Sequence, residues 1–185
     1  MKKRIALLLS SMLLLTACSD IFEKQIEIYH DAIEALDDAD EFAILMEEAL
    51  NTGIEIAAVS AKATEEVVEE LKEEYGAEYE TMFDSIETLH SEYFARVDRM
   101  FLGYTFNFVE RRTLLYRMAA DRYCKAERTE ELEAVKDIIE RYSALSHVAG
   151  QRACDPPAKI RDDYEAAREL AENCFEVAKA KIEEE

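Results

Sequence analysis

The chain has no tryptophan, two prolines, four glycines and three histidines among its 185 residues. So few breakers exclude a turn-rich fold, and the abundance of Ala, Glu and Leu points to an all-α one. The histidines are His30, His90 and His147. No nucleophile elbow, phosphate-cradling glycine loop or His-Glu-x-x-His zinc motif accompanies them, so no enzyme and no cofactor is expected. Basic residues are scarce as well: 22 Lys and Arg stand against 42 Asp and Glu, for a net charge of −20. Nucleic-acid binding needs clustered cations and is excluded; attraction to anionic lipid is excluded on the same ground. Beyond the first seventeen residues no apolar run is long enough to cross a bilayer, which takes about 20 residues.

What is present is helical periodicity. A first stripe runs Phe22, Ile26, Tyr29, Ile33, Leu36, then Ala39, Ala43, Met46 and Leu50, with Asp20 as cap and Glu23 as its capping-box partner. "DDAD" at 37–40 reads as either a break or a solvated turn. "NTG" at 51–53 reads as a helix stop. A second stripe follows at Ile54, Ala57, Ala61, Thr64, Val68, Leu71 and Tyr75, ending at Gly76. The third runs from Tyr79 through Ile86, Tyr93, Met100 and Phe108 to Met118. Unbroken, it spans 77–124, on the order of 70 Å, with Gly103 as its kink. Thr129 caps a fourth helix, and Asp155 with Pro156 opens a fifth after the loop "AGQRACDPP". The expected architecture is an antiparallel bundle of about five helices in one acidic domain, 18–185, with a long third helix. The alternative is two tandem three-helix bundles sharing that helix, as in spectrin-like repeats.

The first eighteen residues, "MKKRIALLLSSMLLLTAC", combine three cations, an apolar core broken only by Ser10 and Ser11, and the sequence Leu15-Thr16-Ala17-Cys18. This resembles the signal peptide and lipobox of bacterial lipoproteins. The resemblance implies removal of residues 1–17 and two or three acyl chains on Cys18, enough for a stable anchor. In enterobacterial lipoproteins an Asp directly after that cysteine retains the protein at the inner membrane. Ser19 stands here, so the resemblance implies the outer membrane, on its periplasmic side.

Losing the leader's three cations takes the net charge to −23, and it is uneven: residues 20–100 hold 24 acids and 5 bases. The run "TEEVVEELKEEY", 64–75, sets like charges at i,i+4, which calls for relief. Arg111, Arg112, Arg117, Arg122, Lys125 and Arg128 are expected to supply it; a basic protein partner or divalent cations are the other sources. The apolar run "MFLGYTFNFV", 100–109, reads as the most buried part of the third helix.

"IEIYH" at 26–30 and "IETLH" at 86–90 each carry Glu-x-x-His, the half-site of di-metal helical bundles. Glu27, His30, Glu87 and His90 are therefore the candidate metal ligands. All four flank the apolar stripe, however, so exposed positions are expected. Besides Cys18 the chain has Cys124, Cys154 and Cys174, and no Cys-x-x-Cys. Cys124 ends the third helix; the fourth runs back about 31 Å and Cys174 lies about 26 Å along the fifth, which returns it to the level of Cys124. Cys154 stays at the far end, beyond the ~7 Å limit for a bridge. A Cys124–Cys174 disulfide with Cys154 free is expected. The functional expectation is a membrane-anchored lipoprotein working by protein contact or as a structural element, or, as the alternative, a cation- or metal-binding one.

Overall fold

The computed structural model describes residues 21–39, 41–104, 108–150 and 158–184, with the side chains of 108 and 146–150 left aside. The leader, Cys18, the Asp20 cap, Cys154, the Asp155–Pro156 helix start and the side chain of His147 lie outside the described residues.

The fold is all-α, with no strand among the described residues. Helix α1 covers 21–35 and tightens into a 3-10 turn, Leu36–Asp38. It is followed by α2 (Phe42–Ser60), α3 (Glu65–Tyr75), a 3-10 turn (Gly76–Glu78), α4 (Tyr79–Gly103), α5 (Phe108–Lys125), α6 (Thr129–Gly150) and α7 (Ala158–Glu184). Helices α5, α6 and α7 pack on one another; α2 lies on α6, and α4 on both α2 and α6. Tyr93, Val97 and Phe101 of α4, Leu45, Met46 and Leu50 of α2, and Val135 and Tyr142 of α6 belong to one buried core, joined by residues of α1, α5 and α7. That core is continuous, not divided between two bundles on a shared helix.

Three expectations about the elements are corrected. The third helix is not one rod. It ends at Gly103, where Tyr104 turns extended (φ −74°, ψ 139°) and its hydroxyl donates to the Ala39 carbonyl at 2.9 Å. A straight helix would hold residues 101 and 111 about 15 Å apart. Instead Arg111 donates to the Phe101 carbonyl at 3.2 Å. Its guanidinium lies 5.4 Å from the Phe101 ring and 5.9 Å from the Phe42 ring. Gathering Phe42, Phe101 and Arg111 at one point is what breaks the rod. The chain therefore turns after Gly103: Phe101 and Val109 are buried, Leu102 is exposed.

"NTG" is not a stop. α2 runs through it, with Thr52 buried and accepting from the Tyr93 hydroxyl at 3.1 Å. A Cβ on Gly53 would stand 2.3 Å from Cδ1 of Ile138, so the glycine serves close packing of α2 on α6. The stretch 54–75 is two helices. The second begins at Thr64, whose Oγ1 accepts from the Val67 amide at 3.4 Å and caps α3. Gly76 does stop α3, at φ 52°, and "DDAD" does break the first stripe, at the 3-10 turn.

Arg111 is 4 % exposed, so its aliphatic stem and its cation are both part of the core. Arg111→Ala should lower stability by about 2–4 kcal/mol, from lost packing and two desolvated cation–π contacts. Urea unfolding of the variant checks this; a change within about 0.5 kcal/mol, the range of a surface substitution, would show that the corner does not hold the fold.

Candidate functional site

Where α1, α2, α4 and α6 meet, they leave a cleft of about 430 Å³. Its floor is built from small residues. Gly53 and Ala57 of α2 face Ala134 and Ile138 of α6, each pair one helical turn apart. Small side chains in register leave a trough between the axes, and Ile56 and Phe94 complete its apolar lining.

The polar rim comes from α1, α4 and α6. The Tyr29 hydroxyl and His90 Nδ1 are 2.7 Å apart, and the His90 ring stacks beside Phe94, centroids 4.8 Å apart. Burial pushes the Tyr29 phenol up to about 12, so it keeps its proton. Burial, and then the nearby Arg141 charge, push the His90 imidazole below its ordinary value against the pull of Glu87. The Tyr29 hydroxyl and Nδ1 therefore share one hydrogen bond on a ring held toward its neutral form. Arg141 grips Asp98 with two hydrogen bonds, at 3.1 and 2.6 Å, and lies 5.0 Å from the Phe94 ring. Its cation is thereby committed, and the Asp98 hydrogen bond raises its pKa. Glu130, Glu133 and Asp137 line the same rim, exposed, with Glu133 paired to Lys136 at 3.2 Å. The cleft presents an apolar floor under an acidic edge.

Of the four metal-ligand candidates only His90 reaches this cleft. All four are exposed, as expected, Glu27 and His30 on α1 and Glu87 and His90 on α4. The two motifs do touch, through Tyr29 of one and His90 of the other, but not through their four candidate ligands. Among the described residues no group of three or more His, Cys, Asp or Glu could hold a metal ion.

Relief of the acidic run on α3 also differs from expectation. Arg111 enters the core, Arg112 stacks on Tyr164 at 4.8 Å, and Arg122 pairs with Glu47 at 3.0 Å. Lys125 and Arg128 pair with Asp121 and Glu131, each at 2.8 Å. On α3 itself Lys72 holds Glu69 at 2.8 Å, while Glu65, Glu66, Glu73 and Glu74 form no ion pair among the described residues. Cys124 and Cys174 are both thiols, the first exposed and the second half-buried, and a hydrogen bond joins them.

The cleft residues were hidden in sequence. Gly53 carries the signal of a stop, and Arg141 and Phe94 lie on different helices with nothing to link them. The one-turn spacing of the small residues Gly53 and Ala57 was the one readable sign.

Because the folded protein favours neutral His90, protons bind the unfolded chain first as pH falls. The stability this confers is complete above the unfolded value of about 6.5 and is lost as pH falls through the lower folded value. Between about pH 7 and 5 the protein should lose more unfolding free energy than His90→Gln does, since the carboxylates titrate alike in both. Parallel pH profiles would mean that the ring is not held neutral.

Compared with protein-family models, with curated proteins and with solved structures, the chain matches none.

Proposed function

We propose that this chain is a lipid-anchored helical lipoprotein of the bacterial envelope, held through Cys18 on the periplasmic side of the outer membrane, and that it works by protein–protein contact. The leader's cations, apolar core and Leu15-Thr16-Ala17-Cys18 ending support the anchor. No helix among the described residues is long and apolar enough to cross a membrane.

The cleft carries the contact reading. Its apolar floor sits under Glu130, Glu133 and Asp137, while the one guanidinium on its rim is bound to Asp98. Such a site suits a Lys or Arg beside an apolar side chain of a partner protein. The unpaired glutamates of α3 add a field of the same sign, which steers a basic partner toward this half of the protein. They also favour a second reading, weak binding of divalent cations on α3.

A photo-crosslinking residue placed at Ala57 or Ala134 in living cells tests the contact. It should yield an adduct that a control at exposed Asp162 of α7 does not. Glu130→Lys with Asp137→Lys should weaken that adduct at least tenfold, the effect of about 1.4 kcal/mol. Equal adducts from cleft and control would overturn the contact reading, and an adduct lost on chelation alone would favour the cation reading.

A further inference from the structure

The Cys124–Cys174 pair bears on how α7 is held. This helix is 27 residues long, yet its buried residues are Tyr164, Ala167, Ala171 and Ala178. Alanine removes little apolar area from water, so this face binds weakly for its length. What small residues do allow is close approach. Ala119 and Ala120 of α5 are buried in the same core as Ala171 and Ala178.

The two helices run parallel in a register that the aromatic contacts display. Tyr116 meets Tyr164 with ring centroids 5.7 Å apart, and Tyr123 meets Phe175 at 5.2 Å. Residue 124 therefore falls beside residue 174. The hydrogen bond between the two thiols, with burial second, pushes the Cys174 thiol up to about 11. A bridge needs Cα atoms within about 7 Å, which ordinary helix packing at 8–10 Å between axes supplies only where small side chains face each other, as here.

We propose that Cys124 and Cys174 are an oxidation site: in the exported protein they close to a disulfide that fastens α7 to the last turn of α5. The oxidant is a disulfide-bearing oxidoreductase or a small-molecule disulfide, RSSR. Exposed Cys124 meets it first. Its thiolate attacks one sulfur, forms a mixed disulfide and releases one RS⁻. Half-buried Cys174 then gives up its proton and attacks the Cys124 sulfur, releasing the second RS⁻. Two electrons and two protons pass from the pair, and RSSR becomes two RSH. The bridge ties two helices that are 50 residues apart along the chain, a long loop for the unfolded state to lose. Only the supply of oxidant rests on the export reading; the pairing rests on the geometry.

The test uses the full chain, expressed with its own leader, extracted without reductant, alkylated and mapped without reduction. A Cys124 peptide joined to a Cys174 peptide is expected, with Cys154 alkylated. The bridged protein should melt on the order of 10 °C above the reduced one. That difference should vanish in Cys174→Ser and persist in Cys154→Ser. Reduced protein exposed to oxidised glutathione should form the same bridge. Cys154 in the bridge, or two thiols that stay alkylatable after glutathione, would overturn the pairing. Thiols free on extraction that close with glutathione would overturn the export reading and leave the geometry standing.

Discussion

Arg111 lies against the touching rings of Phe42 and Phe101, with one nitrogen on the Phe101 carbonyl, and this contact turns the chain. A buried cation is costly unless polar groups and π-faces meet it, and burial does lower its pKa. Here the cost is offset by joining three elements at one place: the start of α2, the end of α4 and the first turns of α5. Without the corner, α4 and α5 would form one rod on the order of 70 Å long. With it, α5 turns away to pack between α6 and α7, and α6 crosses α2. Everything downstream, including the cleft, depends on that crossing.

At the crossing Gly53 lets Ile138 come within reach of the α2 backbone. The same lack of side chains that permits contact at one level leaves a hollow at the next, lined by Ala57 and Ala134. Its electrostatics follow from who pairs with whom. Asp98 takes Arg141, so the rim carboxylates of α6 set the sign of the site. His90, beside a buried phenol and a bound guanidinium, is neutral and offers one N–H. An acidic edge over an apolar floor is the geometry on which the proposed contact with a cationic, partly apolar group rests.

The helical class, the apolar stripes and the phase of the Glu-x-x-His segments were legible because each depends on spacing within one helix. Glu27, His30, Glu87 and His90 lie one step past core positions, and all four are exposed. The level of Cys124 with Cys174 followed from helix rise alone, since it needs only lengths. What could not be read depends on partners far along the chain. Gly53 looks like a stop until Ile138, eighty-five residues on, explains it. Gly103 marked the kink in sequence, but that the helix ends there depends on Phe42 and Ala39, some sixty residues back along the chain. The break before Thr64 was missed for a local reason. Thr64 fits the apolar stripe by position, but its hydroxyl competes for a backbone amide and caps α3. The basic residues of α5 were assigned to the acidic run by charge alone. Proximity decides, and Glu47, Asp121 and Glu131 are nearer.

The proposed contact with a basic partner at the envelope depends on a tether there, and Cys18 is the residue proposed to supply it. The first described helix begins three residues after that cysteine, so the proposed anchor would hold the body close to its attachment point. The most direct measurement is the intact mass of the protein extracted from membranes with detergent. The account predicts a chain that begins at Cys18 and carries two or three acyl chains. A chain that retains Met1, or one cut before Cys18 without lipid, would contradict it.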